Sequence, residues 1–336
     1  MLISKNSQLI LRHSEIFQTK KVFFSGNIQD DFPLHLYTII TKINLQKKNN
    51  YISFKKQNKN IDVYNNLLVS QEMTNNCDTI IYYWPKDKSE AKFQLINIIS
   101  CFPINTEIFI VGNNSSGVKS APSIFNKWIE INKIEKAKHS ILISGFIKKN
   151  SVFILEDFFK THIWENLIIK SLPGVFGHKK IDEGSKLLVS TFSRKITGNV
   201  LDIGCGTGFL SVSLLYSSPN VKLTLVDNSL CALKCSQETL DYNKLTGEII
   251  YSNLYSNIFK KFNLIISNPP FHHDLKTNFN IIEEMIRNSR KYLMLKGELR
   301  FVTNSCFKYD FLLKEFFKKH CILKKTSKYK VYQAFL

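Results

Sequence analysis

V-L-D-I-G-C-G-T-G-F, residues Val200 to Phe209, is the stretch whose reading decides the fold. Three glycines, Gly204, Gly206 and Gly208, alternate behind a short apolar segment that reads as a strand over residues 199–203. Such a turn lacks Cβ atoms where a ligand would approach, so backbone N–H groups can come close to it. The spacing departs from the dinucleotide fingerprint, whose third glycine stands three positions after the second; here Gly206 and Gly208 are two apart. That weakens a dehydrogenase reading. Asp202, near the strand end, suits a cationic cofactor better than a pyrophosphate, which a carboxylate repels. S-adenosylmethionine, with a sulfonium and an ammonium, is such a cofactor. The next predicted strand, residues 222–226, ends at Asp227, where a carboxylate can accept both hydroxyls of a ribose.

Outward from this loop, strands and helices alternate as a parallel sheet requires. Helices are expected over residues 207–216, 229–242 and 278–292, and strands over 248–251, 262–267 and 298–303. The chain closes differently. A helix over 311–319 is followed by segments 320–324 and 329–335 with a short turn between them, which read as an antiparallel hairpin at the sheet edge. In open sheets of this kind a ligand sits beyond the carboxyl ends of the strands, so Asp202, Asp227 and Asn268 would share one crevice.

The second informative stretch, F-N-L-I-I-S-N-P-P-F, runs from Phe262 to Phe271. An apolar strand delivers Asn268, Pro269, Pro270 and Phe271 to one point. Asn offers a side-chain acceptor, the Pro backbone a second, and Phe a stacking plane, a set that holds a flat substrate by its exocyclic amine. Asn-Pro is also a common turn starter. By itself the tetrapeptide does not separate guanine from adenine or from a glutamine side chain.

Asp-x-Gly-x-Gly-x-Gly, an acid ending the next strand and Asn-Pro-Pro-Phe ending the fourth together resemble the class I S-adenosylmethionine-dependent methyltransferases that modify exocyclic amines. Further stretches narrow the likeness: Leu11 to Ser14, Gln29 to Asp31, Ile81 to Lys86, Leu172 to Phe176 and Ile266 to His272. They closely resemble the ribosomal RNA small subunit methyltransferase C family, over nearly the whole chain. One departure is visible, where His273 is inserted before Asp274. The resemblance implies transfer of a methyl group from S-adenosylmethionine to the N2 amine of a guanine in 16S rRNA, with the 30S subunit as partner. Alternatives are another exocyclic amine, adenine N6 or a protein glutamine, or a ribosome-binding module whose catalytic half has decayed. The expected catalytic set is Asn268, Pro269, Pro270 and Phe271. The expected cofactor set is Asp202, Gly204, Gly206, Gly208, Asp227, Asn228, Asn253 and Phe176. His272, Lys170, Lys179 and Lys180 are the candidates for RNA contact. Pro173 to Gly177, with Asp182 to Gly184 opening a helix over 185–192, match the family segment that covers the methionine end of the cofactor; an ordinary capped helix after a turn reads equally well.

The first half echoes the second. Strands over 21–24, 79–83 and 107–111 with a helix over 90–100 parallel the catalytic half, and Cys77 to Pro85 aligns with Phe262 to Pro270. Only four of the 13 glycines precede residue 150 and no Asp-x-Gly-x-Gly occurs there, so no cofactor is expected in that half. The fold class is therefore α/β, two tandem class I methyltransferase-like domains. Residues 156–336 form a seven-stranded mixed sheet with an antiparallel edge hairpin, and residues 1–155 a degenerate duplicate for docking or support, in which Tyr82, Tyr83, Trp84 and Pro85 replace the tetrapeptide.

Forty-six Lys and Arg against 27 Asp and Glu leave a net charge of +19, as in proteins that meet phosphate backbones. Five of the 46 are Arg, and the chain is rich in Lys, Asn, Ile and Phe, so part of that charge reflects an AT-rich coding bias. Pairs such as Lys47-Lys48, Lys55-Lys56 and Lys148-Lys149 read as solvated faces. Seven cysteines without a C-x-x-C pair argue against a disulfide framework and for a reducing compartment. Adjacent His272 and His273 lack companions at ligand spacing, so no metal is expected. No apolar run reaches 18 residues and the N-terminus lacks a signal-peptide pattern, so a monomeric, cytoplasmic protein is expected.

Overall fold

The computed structural model describes residues 3–46, 51, 53–55, 61–270 and 275–336. The chain divides into two compact units, Met1–Phe158 and Phe159–Leu336. In the first, β1 (Lys21–Gly26), β2 (Ile40–Asn44), β3 (Asp62–Tyr64), β4 (Thr79–Tyr83), β5 (Glu107–Asn113), β6 (Ile129–Ala137) and β7 (Ser140–Ile147) form one sheet in the order β3-β2-β1-β4-β5-β7-β6. The second opens on a separate hairpin, β8 (Lys160–Trp164) and β9 (Leu167–Ser171). Its main sheet holds β10 (Gly198–Ile203), β11 (Val221–Asp227), β12 (Glu248–Tyr251), β13 (Phe262–Ser267), β14 (Leu293–Asn304), β15 (Lys319–Lys325) and β16 (Tyr329–Phe335), in the order β12-β11-β10-β13-β14-β16-β15. The two orders are the same, and each sheet is parallel except where its last two strands join antiparallel.

Both are the mixed seven-stranded sheets expected. The central strands are continuous apolar runs because helices cover both faces. Val200, Leu201, Leu225, Val226, Ile265 and Ile266 are fully buried. Register makes the internal repeat concrete. Val22 pairs with Thr79 and Gly26 with Tyr83, while Val200 pairs with Leu264 and Ile203 with Ser267. Counting along each pair, Tyr83 stands where Asn268 stands and Gly26 where Gly204 stands.

Several expected boundaries move. The helix expected over 185–192 spans Glu183–Val189, because the Asp182 side chain caps it by accepting the Ser185 N–H at 2.8 Å. The helix expected over 311–319 ends at Phe316, and β15 takes over at Lys319. β14 begins at Leu293, five residues before the expected strand. The β8–β9 hairpin was not anticipated at all.

Candidate active site

The glycine loop emerges from the end of β10, with Gly204, Gly206 and Gly208 all at positive φ, 71°, 55° and 76°. A Cβ added to Gly204 would meet no atom within 4 Å, so open space lies against that residue. A Cβ added to Gly206 would stand 3.9 Å from the carbonyl oxygen of Phe176. Gly208 has a different use from the one expected. A Cβ there would stand 3.1 Å from Ser236 Cα, so this glycine lets the loop pack on the helix Leu230–Tyr242 rather than lining the cleft.

Two carboxylates stand near the loop, and one of them, Asp227, holds it. Asp227, at the end of β11, accepts the Gly206 N–H at 3.1 Å through Oδ2 and the Ser229 N–H at 2.9 Å through Oδ1. Burial raises its pKa, against the backbone N–H groups that favour the charged form. Asp202 is fully buried and does not reach the cleft surface, in contrast to the direct partner of a cationic group expected. Its Oδ2 accepts the Ser211 hydroxyl at 2.6 Å, and Oδ1 has no hydrogen-bond partner among the described residues. Burial pushes its carboxyl up to about 7, the Ser211 bond opposes that shift and Asp227 adds to it. Asn228 is exposed just past β11. Asn253 lies half-buried in the turn after β12, where its N–H donates to Ser256 at 3.1 Å.

The segment from Leu172 to Ile181 forms the other wall. β9, which leads into it, is held through its backbone by side chains at four-residue spacing on the helix Leu230–Tyr242 and at that helix's C-cap. Asn243 Oδ1 accepts the Ile168 N–H at 2.9 Å, Thr239 Oγ1 the Lys170 N–H at 3.0 Å, and Cys235 Sγ the Leu172 N–H at 3.0 Å. One helix face thereby substitutes for a neighbouring strand. Past this anchor, half-exposed Phe176 and Gly177, at φ 87°, reach the cleft beside Gly204, Cys205, Gly206 and Thr207.

Asn268 closes the cleft at the end of β13, where Ser267 ties that strand to β10 by donating to the Ile203 carbonyl at 2.8 Å. Its Nδ2 donates to Asp182 Oδ1 at 2.9 Å and to Ser185 Oγ at 2.7 Å. Its Oδ1 is a buried acceptor with no partner among the described residues. Pro269 is buried and Pro270 exposed. Phe271, His272, His273 and Asp274 lie outside the described residues. Asp182 and Ser185 were not singled out for this contact, though their spacing as cap and third residue of a helix was readable.

Of the RNA-contact candidates, Lys179 and Lys180 are exposed on the wall segment. Lys170 is not brought to the cleft. Strand alternation points it away from Ile169, which lines the cleft, and its ammonium bonds Thr161 Oγ1 at 3.1 Å over the Tyr242 ring at 4.6 Å. Among the described residues no group of three His, Cys, Asp or Glu side chains could hold a metal ion, and no helix is long and apolar enough to cross a membrane. None of the seven cysteines forms a disulfide.

Residues 166–333 match the family model described as the methyltransferase small domain, and residues 7–162 match its N-terminal companion, the methyltransferase small domain N-terminal. The chain is 73% identical to the ribosomal RNA small subunit methyltransferase C of Buchnera aphidicola subsp. Acyrthosiphon pisum, covering 100% of this chain and 99% of that protein. It is 38% identical to the same enzyme of Escherichia coli strain K12, over 98% of this chain and 96% of that one. Among solved structures, a T. thermophilus 16S rRNA N2 methyltransferase in complex with AdoMet and guanosine shares the fold, with a TM-score of 0.76, 17% identity, 94% of this chain covered and 88% of that one.

Proposed function

The chain belongs to the ribosomal RNA small subunit methyltransferase C family, and from that premise we propose that its cleft moves a methyl group from S-adenosylmethionine to the exocyclic N2 amine of a guanine in 16S rRNA. The observation that carries this reading is the buried, unpartnered Oδ1 of Asn268, which lines the same cleft as Gly204, where open space is left. An adenine N6 or glutamine amine would fit the tetrapeptide alone, but the family favours guanine. The intact glycine loop, Asp227 and Asn268 argue against a decayed site.

The residues present fit the cofactor: Gly204 leaves room for it, Gly206 and Phe176 flank that room, and the Asp227 carboxylate holds the loop through the Gly206 N–H. S-adenosylmethionine, when bound, supplies an electrophilic methyl group on a sulfonium. Everything else falls to the protein. A guanine N2 lone pair is delocalised into the ring, so the nitrogen must be pyramidalised before it attacks. Asn268 Oδ1 accepts one N–H of the amine and the Pro269 carbonyl the other, which aims the lone pair and stabilises positive charge growing on nitrogen. No strong general base is needed, since the amine becomes acidic only as it is methylated. Alignment of the two reactants is worth up to about 7 to 11 kcal/mol in principle. Phe271 stacks on the base, offsetting about 1 to 3 kcal/mol of the cost of extruding it.

We infer that it works in the cytoplasm, as a monomer, on the assembled 30S subunit, a reading supported by the family's 16S rRNA substrate. Incubation with labelled S-adenosylmethionine and either unmethylated 30S subunits or free 16S rRNA, followed by nucleoside identification, tests this directly. Labelled N2-methylguanosine is expected, formed faster on the subunit; labelled N6-methyladenosine overturns the reading.

A further inference from the structure

We infer that Asp182, assisted by Ser185, is a positioning residue that fixes which end of the Asn268 carboxamide faces the substrate. The inference rests on the methyl-transfer role assigned to Asn268 above. A carboxylate only accepts hydrogen bonds, so the Asn268 atom opposite Asp182 Oδ1 at 2.9 Å must be the NH2 group; the flipped amide would set oxygen against oxygen. The second N–H goes to Ser185 Oγ at 2.7 Å. Both donors are thus spent inside the protein, and the oxygen is the part of the side chain left for a substrate N–H. Were the amide free to rotate, its NH2 would confront the amine's own N–H and repel it. Asp182 is itself held, because the same Oδ1 accepts the Ser185 N–H at 2.8 Å as a helix cap. One carboxylate oxygen therefore ties the start of the helix Glu183–Val189 to the end of β13.

The first unit carries a partial counterpart of this tie, made by the third residue of its helix. Ser4 caps the helix Lys5–Leu11 by accepting the Ser7 N–H at 3.2 Å, and the Ser7 hydroxyl meets the Tyr83 hydroxyl at 3.0 Å. A capped helix start whose third residue bonds the strand-end residue recurs, while the direct bond from cap side chain to strand end, Asp182 to Asn268, belongs to the second unit. At the strand end, however, stands a phenol with no amide to orient, and the carboxylate has moved to Asp30, which accepts from Ser7 Oγ at 2.9 Å. The link between helix start and strand end is common to both units, and only beside a carboxamide does it decide a donor from an acceptor.

The test measures steady-state methyl transfer and cofactor affinity for Asp182→Ala, Asp182→Asn and Ser185→Ala, each alone and with Asn268→Ala. Asp182→Ala is expected to lower kcat by about 10- to 100-fold and Ser185→Ala by about 3- to 10-fold, with KM for S-adenosylmethionine changed less than about threefold. Asp182→Asn keeps an accepting oxygen and a helix cap, and is expected to recover most of the loss. In the Asn268→Ala background Asp182→Ala should cost less than about twofold more, since its effect passes through Asn268. A full further loss there would mean that Asp182 acts on the ligand directly, and overturns the proposal. The 15N spectrum of the cofactor-free protein supplies a readout independent of turnover. The Asn268 carboxamide, assigned by its absence in Asn268→Asp, should show slowly exchanging protons that persist in Asp182→Asn and exchange fast in Asp182→Ala. An unchanged resonance in Asp182→Ala would sink the inference, whereas wild-type protein that methylates no guanine would sink the functional reading and leave the spectrum to judge the orientation.

Discussion

At the end of β10 a Cβ added to Gly204 would meet nothing within 4 Å, whereas one added to Gly26, at the matching end of β1, would collide with the Tyr83 carbonyl oxygen. The two sheets have one strand order and one register, yet one leaves space past the end of its first strand and the other fills it. The filling is aromatic. Tyr82 and Tyr83 are both fully buried, the first donating to Gln94 Oε1 at 2.7 Å, the second joined to Ser7. Burying each such ring is worth about 1.5 to 3 kcal/mol, so the first unit turns a would-be binding cleft into core. A sheet topology thus supplies a place for a cofactor, and the residues at two strand ends decide whether that place is a pocket or packing. We accordingly assign cofactor binding to residues 156–336 and a supporting or docking role to residues 1–155.

The sharpest way to break this comparison is to substitute the residues that share a register position. Asn268→Ala is expected to lower kcat by about a hundredfold or more with cofactor affinity near normal, because it removes an acceptor whose value peaks in the transition state. Tyr83→Phe should leave kcat unchanged and cost about 1 kcal/mol of stability, the worth of one buried hydrogen bond. Initial rates and denaturant unfolding read both. Equal turnover in wild type and Asn268→Ala would remove the distinction between the units.

The glycines offer a second crossing. Gly26→Ala should destabilise the chain by about 3 kcal/mol, from strain at φ 90° together with the clash, and leave cofactor affinity alone. Gly204→Ala places its Cβ in the space reserved for the cofactor, so Kd for S-adenosylmethionine should rise about 10- to 100-fold while strain costs only about 1 kcal/mol. Calorimetry should find one cofactor per chain in the wild type. Two would contradict the filled first unit.

Much of this contrast was legible in the residues. Glycine clustering and the Asn-Pro-Pro-Phe strand end marked the second unit, and Tyr83-Trp84-Pro85, aligned by register with Asn268 to Pro270, marked the first, because both depend on local pattern. What escaped depends on residues distant in sequence. Asp202 reads as a ligand partner because it adjoins the glycines, but a strand residue one place before the end points into the sheet's packed layer, where Ser211 meets it. Gly208 belongs to the motif by spacing, yet its use is set by Ser236, on a helix that no local rule connects to it. The β8–β9 hairpin is short and half-exposed, held by Asn243, Thr239 and Cys235 from a helix about seventy residues on, so its own sequence carries only a weak strand signal.

Asp202 also gives the second unit a pH dependence that the first has no reason to share. Its folded pKa, pushed up to about 7, lies above the unfolded value of 3.8, so between those limits the native state retains a proton that the unfolded chain releases. Its contribution to stability is therefore greatest below about pH 4, declines as pH rises towards 7 and is flat above that. Asp202→Asn removes the buried charge. Thermal unfolding without cofactor should show the variant more stable than wild type at pH 8 by about 1 kcal/mol or more, with the gap closing towards pH 4. A constant gap across that range would mean that Asp202 is ionised throughout.

The smallest expected effect concerns where RNA phosphates touch the two units. Lys179 and Lys180 are exposed on the wall of the cleft, so replacing both by Ala should reduce the slope of log K against log salt by about 0.7 to 0.9 for each phosphate that is no longer neutralised. Lys170→Ala, although only nine positions away, should leave that slope unchanged, since its ammonium is occupied by Thr161 and the Tyr242 ring. The double substitution of Lys148 and Lys149, exposed in the first unit, separates a docking surface from a solvated face. If only the Lys179 and Lys180 pair changes the slope, the contribution of the first unit is mechanical support. If Lys148 and Lys149 change it as well, the unit whose cleft was filled has kept the substrate and given up only the cofactor.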